Sequence, residues 1–330
     1  MDETFIRESM DRRAERRVER RDLFRLAGGM AAGAGALALS ACGGHSSSTV
    51  AATTPSTTPT DADVLNFALN LEYLEANFYH YAVFGTPIDA SLLSGAGTQG
   101  TIQGGQAVPF ASPVVQRLAT EIAKDELNHV TYLRAQLGTS AVAQPAVDLS
   151  ATATSAFSQA AQAAGLVAAG TTFNPYANDE SFLLGAYIFE DVGVTAYIGG
   201  STLITSKAYL EAAAGILAVE AYHASIVRQT LYNLGINGPT PLDVGAVALD
   251  PFAATSAISA ARAKLDGTNS DDNGIGSATS PTVVDANQSN AVAYSRTAAQ
   301  VLNIVYLNAS AVSSGGFFPS GMNGNIRTSG

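Results

Sequence analysis

The chain has 330 residues, with 28 acidic against 17 basic side chains and a formal charge of −11. No cluster of Lys and Arg offsets that acidity, which excludes a nucleic-acid-binding surface. A single Cys excludes an intramolecular disulfide, so stability must come from the core and from any bound metal.

The first 42 residues hold eight Arg against seven acids, leaving 9 basic against 21 acidic groups in the remainder. Arg20-Arg21-Asp22-Leu23-Phe24-Arg25 precedes a weakly apolar, Gly- and Ala-rich run from Leu26 to Ala41. A twin Arg ahead of such a run resembles a twin-arginine export signal. The run is short of the ~20 apolar residues that span a membrane. Leu39-Ser40-Ala41-Cys42 resembles a lipobox, in which Cys42 is lipidated and becomes the new N-terminus; simple cleavage nearby is the alternative. The expectation is an exported protein of the periplasm or cell envelope, anchored to a membrane through Cys42. Residues 43–60 form a Ser/Thr/Pro tract without apolar periodicity, read as a flexible tether.

Four long helices are predicted after the tether. The first runs from about 61 to 84, capped by Asp61 or Asp63, with Val64, Leu65, Ala68, Leu71, Leu74 and Phe78 at helical spacing. A Gly/Pro/Ser-rich loop follows. Ser112-Pro113 opens the second helix as cap and first-turn Pro, and Gly138 closes it. An Ala-rich stretch over 148–168 is read as a lesser helix within a crossover. Asn178 or Asp179 caps the third long helix, which reaches Gly199-Gly200. The fourth spans about 207–234, with Gly235 as its stop. Residues 236–330 are read as an extension packed on the bundle, with short helices near 251–265 and 297–307; disorder after Ser310 is the alternative.

Two of these helices carry the same four-residue pattern, Glu126-Leu-Asn-His129 and Glu220-Ala-Tyr-His223. Positions i and i+3 share a helix face, so each copy presents a carboxylate beside an imidazole. With twelve Glu and four His in the chain, two such pairs arise by chance roughly 1% of the time, treating composition as random. The other two helices supply Glu72 and Glu190. Glu75 lies on nearly the same face as Glu72, and an internal repeat decides between them. Glu72 precedes Tyr79 by seven residues as Glu190 precedes Tyr197, while Arg134 and Arg228 each lie five residues beyond a motif His. The first and second helix pairs therefore read as two copies of one hairpin, related by a pseudo-two-fold axis.

One Glu from each of two helices plus Glu-x-x-His from each of the other two is similar to the ferritin-like superfamily, over roughly 61–233. More loosely, the chain resembles its exported, desiccation-related group. The resemblance implies an all-α, ferritin-like four-helix bundle with a long crossover, spanning residues 61–235. It implies a carboxylate-bridged pair of Fe or Mn ions with Glu72, Glu126, His129, Glu190, Glu220 and His223 as ligands. Glu126 and Glu220 bridge or chelate, and Glu72 and Glu190 are terminal. Four converging carboxylates need compensation in an apolar bundle, and two divalent cations provide it. Tyr79 and Tyr197 are candidates to hydrogen-bond ligating carboxylates, with a plain core role as the alternative. Arg134 and Arg228 are expected in ion pairs on the bundle, His80 at its rim.

Two functions are compatible with this reading. One is a redox protein that oxidises Fe(II) or removes peroxide, with oxygen or peroxide as the small oxidant. The other is a non-catalytic stress protein of the envelope whose metal site is structural or vestigial. A monomer or dimer is expected in place of a closed cage, because a lipid anchor, tether and extension would crowd the surfaces a shell must bury.

Overall fold

A computed structural model of the chain describes residues 58–237, 250–267 and 272–330, together with the backbone of the short strands β3 (Leu242–Asp243) and β4 (Ala248–Leu249). Arg20, Arg21, Cys42 and the tether up to residue 57 lie outside the described residues.

The four long helices are α1 (Asp61–Phe84), α2 (Pro113–Leu137), α4 (Asp179–Ser201) and α5 (Lys207–Ile236), with the short α3 (Ala156–Ala163) in the crossover. Their ends follow local chemistry. Thr60, not Asp61 or Asp63, is the N-cap of α1. Its side chain accepts from the Asp63 amide while the Asp63 carboxylate accepts from the Thr60 amide, a reciprocal capping box. Asp61 instead accepts from the Thr205 and Ser206 amides, each at 2.8 Å, and so ties the start of α1 to the turn before α5. Gly85 ends α1 in the left-handed conformation (φ 71°). Ser112 and Pro113 open α2 and Asn178 caps α4, as their residue types dictate. Helix α5 passes through Gly235 to Ile236, since a helical glycine is tolerated where packing outweighs its propensity. The crossover is less helical than its Ala content suggests. Val147–Leu149 forms β2, parallel to β1 (Ile102–Gly104) in the loop after α1, and only eight residues remain for α3.

Cross-helix contacts fix the directions. Asn66 of α1 donates to Ser140 O just beyond α2, and Tyr73 receives a hydrogen bond from Arg134, so α1 and α2 are antiparallel. Arg228 of α5 reaches Tyr187 and Asp191 of α4, while Glu220 lies beside Gly193, so α4 and α5 are antiparallel too. Two hairpins therefore pack face to face. Seventeen residues of α1 and seventeen of α4 are buried, against nine each for the longer α2 and α5. The first helix of each hairpin is thus central and the second peripheral.

The C-terminal region makes that possible by covering α1 and α4. Helix α6 (Pro251–Asp266), the β5–β6 hairpin (Gly276–Ser277 and Ser280–Pro281), helix α7 (Ala298–Val305) and the segment to Gly330 are all ordered against the bundle. Phe317 packs on Phe157 and Phe189 with ring centroids 5.1 and 4.9 Å apart. Asn323 exchanges hydrogen bonds with Asn70 and also holds Thr98 and Ala143.

Three buried arginines bind this region to α4 and α5. Asp191 receives Arg228 and Arg262, each at 2.9 Å. Asp272 receives Arg262 at 2.9 Å and Arg296 at 2.8 Å, and Asp266 receives Arg296 at 2.7 Å. Arg228 is thus in an ion pair as expected, whereas Arg134 donates to the Tyr73 hydroxyl.

The apolar core falls into two clusters. One holds Ala119, Ile122 and Ala123 of α2 with Val227 and Leu231 of α5; the other holds Val130, Leu133 and Leu137 of α2 with Ala213 and Ile216 of α5. Along both helices the change from one cluster to the other falls at the Glu-x-x-His motif. The polar layer is the seam between them.

Candidate metal centre

The helical repeat brings the motif residues together. Glu126 and His129 come from α2, Glu220 and His223 from α5, Glu72 from α1 and Glu190 from α4, and none is more than 7% exposed. His129 Nδ1 lies 3.3 Å from Glu72, 3.5 Å from Glu126 and 3.4 Å from Glu220. His223 Nδ1 lies 2.9 Å from Glu126 and 3.8 Å from Glu190. Two overlapping donor sets result: Glu72, Glu126, His129 and Glu220 in one, and Glu126, Glu190 and His223 in the other. Within each, one atom per residue lies within 4.8 Å of the rest. Glu126 belongs to both. Glu220 belongs only to the first, so the duplication is not reproduced atom for atom.

Both tyrosines reach the cluster, and they do so across the hairpins. The Tyr79 hydroxyl of α1 donates to Glu190 Oε1 of α4, and the Tyr197 hydroxyl of α4 donates to Glu72 Oε1 of α1. This exchange requires α1 and α4 to be antiparallel. Both phenols are raised from their ordinary range by burial and by the carboxylate each one touches, so they remain donors. His80 is at the rim, with Nδ1 2.7 Å from Thr86 O.

Glu75 also faces this layer. It is 5% exposed, and its carboxyl is raised well above the usual range by burial and by the charges of Glu220, Glu126, Glu190 and Glu72. The repeat explains why sequence spacing selected Glu72 alone. The position three residues after Glu190 is Gly193, so Glu75 has no acidic counterpart in the second hairpin. A Cβ at Gly193 would collide with Glu220 Oε2 and lie 3.5 Å from Glu75 Oε1. The glycine leaves room for the Glu220 carboxylate in its present position, which a Cβ would displace.

The cluster is far from charge balance. Among the described residues no Lys or Arg pairs with these carboxylates; the basic groups in contact are the two imidazoles. Burial, and for each the charge of a neighbouring carboxylate, push Glu126 and Glu220 up to about 8. Burial also raises Glu190 well above its ordinary value, against the pull of His223. Glu72 is the exception: burial would raise it, but the His129 charge outweighs that and holds it low. His129 is correspondingly held in its cationic form, since Glu72, Glu126 and Glu220 overcome the desolvation that opposes it.

Of eleven buried side-chain atoms without a hydrogen bond among the described residues, eight belong to this layer and have mainly one another as polar neighbours: Glu72 Oε2, both oxygens of Glu126 and of Glu220, Glu190 Oε2, and Nδ1 of His129 and His223. Each such atom costs free energy when buried alone. All eight point into one polar layer. A donor set rich in carboxylate oxygen with one imidazole per group fits a pair of divalent cations of the Fe or Mn kind. It lacks the Cys-rich character of structural zinc sites.

Antiparallel hairpins with this arrangement of carboxylates define a ferritin-like bundle. The sequence agrees: residues 60–233 match the family model described as a ferritin-like domain, and the chain belongs to that family. It is 32% identical over 187 residues to the desiccation-related protein PCC13-62 of Craterostigma plantagineum, a match covering 56% of this chain and 57% of that one. It is 28% identical over 274 residues to the ferritin-like catalase Nec2 of Nesocodon mauritianus, covering 81% of this chain and 84% of the relative. That second match is longer than the ferritin-like segment, so it takes in sequence beyond the bundle.

Proposed function

We propose that the protein binds a carboxylate-bridged pair of Fe or Mn ions and removes peroxide. The observation that carries this reading is the set of eight convergent Glu and His atoms without a hydrogen bond, in a layer where no Lys or Arg among the described residues pairs with the carboxylates. Likeness to a ferritin-like catalase over most of both chains favours peroxide over Fe(II) as the substrate. In this role Glu126, common to both donor sets, would be shared between the ions, with Glu72, His129 and Glu220 holding one and Glu190 and His223 the other. Tyr79 and Tyr197 orient the terminal carboxylates by occupying one oxygen of each, leaving the second free to bind. When bound, the ions supply redox exchange, by which one peroxide loses two electrons and two protons to give dioxygen and another takes them up to give two waters. The apolar clusters on either side of the seam limit the access of bulk water to the layer.

The test is elemental analysis of the mature protein, expected at about two Fe or Mn per chain, together with dioxygen evolution from peroxide. Glu126→Ala/Glu220→Ala is expected to lose both the metal and the dioxygen. Absence of metal after anaerobic loading with Fe(II) or Mn(II) sinks the reading. Metal without turnover would favour the second reading, a protective role in which the centre is structural, which the likeness to a desiccation-related protein supports. Export through Arg20 and Arg21 and anchorage through Cys42 belong to the same proposal. Membrane fractionation of the full chain and of Cys42→Ala tests them, with release of the variant expected.

A further inference from the structure

The two sides of the metal layer are closed to different degrees. Toward the C-terminal region, Leu71, Leu74, Ile304, Val305 and Phe317 close over Glu75 and leave about 10 Å³, at the lower limit for one water. Between α2 and α5 lies a cleft of about 560 Å³ with His129 at its floor. His129 is 7% exposed, whereas Glu126 and Glu220 are fully buried and His223 is 2% exposed. Solvent therefore reaches the layer beside His129.

A break in the repeat accounts for the difference between the two histidines. The residue before the first motif Glu is Asp125, and its Oδ2 sits 3.2 Å from His223 Nε2, covering the outer edge of that ring. The equivalent residue before Glu220 is Val219, which lines the cleft and offers no polar partner. His129 Nδ1 turns toward the carboxylates, and its other ring nitrogen has no such cover among the described residues. The α5 wall is built from Ala208, Ala212 and Gly215, one per turn on a single face. A Cβ placed on Gly215 would meet nothing within 4 Å. Glu211 adds a negative charge to the lining.

We propose that this cleft is the mouth of the metal centre, through which divalent cations and peroxide-sized solutes reach the carboxylates past His129. The inference rests on the di-metal reading above. Its size is within the range of small-molecule sites, and its mixed lining places Asn128, His129, Gln136 and Glu211 among apolar residues, whereas the opposite side is apolar apart from Glu75.

The test is the rate at which the metal-free full chain takes up Co(II), followed by stopped-flow absorbance. Gly215→Leu fills the cleft at a site with room for the side chain and favours the helix. It is expected to slow uptake at least tenfold while leaving the final stoichiometry unchanged, with Gly215→Ala close to wild type. Ala208→Leu, elsewhere on the same wall, is expected to slow it less and stands in if Gly215→Leu fails to fold by circular dichroism. Glu211→Gln is expected to slow uptake a few-fold at low salt and not at high salt. Uptake at the wild-type rate in a folded, cleft-filled variant overturns the inference and leaves the di-metal reading standing. No Co(II) uptake by the wild type overturns both.

Discussion

Glu190 and Asp191 are neighbours on α4, yet they enter two buried charged clusters of opposite design. Asp191 joins a set in which Arg228, Arg262 and Arg296 meet Asp191, Asp266 and Asp272 at 2.7–2.9 Å. Glu190 joins a set of five carboxyls and two imidazoles that, among the described residues, has no arginine and leaves eight atoms without a hydrogen bond. Asp272 shows the effect of pairing: burial would raise its carboxyl, but Arg262 and Arg296 hold it low. Glu126 and Glu220, equally buried, are pushed up to about 8. One cluster sets three arginines against three aspartates and fastens the C-terminal region, leaving Asp191 Oδ1 and Arg262 Nε without a hydrogen bond. The other has no arginine or lysine among the described residues to balance its carboxyls, and the proposed metal pair would supply that balance.

The sharpest way to break the contrast is to unbalance the paired cluster. Arg262→Ala takes one of two arginines from Asp191 and from Asp272, leaving two arginines to face three buried aspartates, and is expected to cost about 3–5 kcal/mol in denaturant unfolding. Metal is expected to move the other cluster by a comparable amount, because a ligand that binds only the folded state at 100 times its Kd adds about 2.7 kcal/mol. Chelation should therefore lower the melting temperature of the wild type and leave Glu126→Gln/Glu220→Gln unchanged. In metal-free protein that double variant should melt higher than wild type, since it removes two carboxyls that resist burial.

Titration sharpens the comparison further. Glu126 and Glu220 keep their protons in the folded state up to about pH 8 but lose them near 4.5 when unfolded. The folded state thus binds more protons across that window, and metal-free stability falls as pH rises through it. His129, raised above its unfolded 6.5, acts with the same sign: its contribution is complete below 6.5 and is lost as pH rises toward its folded value. Urea midpoints of the metal-free protein should decline from pH 5 to pH 8, and those of the metal-loaded protein should decline less. The smallest expected effect is that of Tyr197→Phe, which frees Glu72 Oε1 from its one phenol and should cost about 0.5–1.5 kcal/mol. Its clearer signature is weaker metal retention against a chelator.

The two clusters also differ in how far the sequence reveals them. Glu126, His129, Glu220 and His223 are legible because the ligand spacing is the helix period itself, and the repeat picks out Glu72, Glu190, Tyr79 and Tyr197. Glu75 escapes that logic, since its partner position is Gly193 and comparison of the two halves discards it. Asp191, Arg262, Asp272 and Arg296 carry no local pattern. They come from two helices and two irregular segments, and only the packing of the C-terminal region onto α4 brings them together. The same applies to Thr60, whose capping role depends on Asp63 and not on the run of Ser, Thr and Pro before it. The N-terminal expectations at Arg20, Arg21 and Cys42 lie outside the described residues and stand on sequence alone.

The crossed phenols make each hairpin dependent on the other. Tyr79 of the first hairpin serves Glu190 of the second, and Tyr197 of the second serves Glu72 of the first. Reciprocal contact of this kind, residue i of one copy with residue j of the other and the reverse, is the signature of an isologous two-fold interface. Neither hairpin holds its own terminal carboxylate with its own phenol, so the two halves of the layer are set only when both hairpins are docked. Within one chain the two halves need not match, as Asp125 against Val219 and Glu75 against Gly193 show.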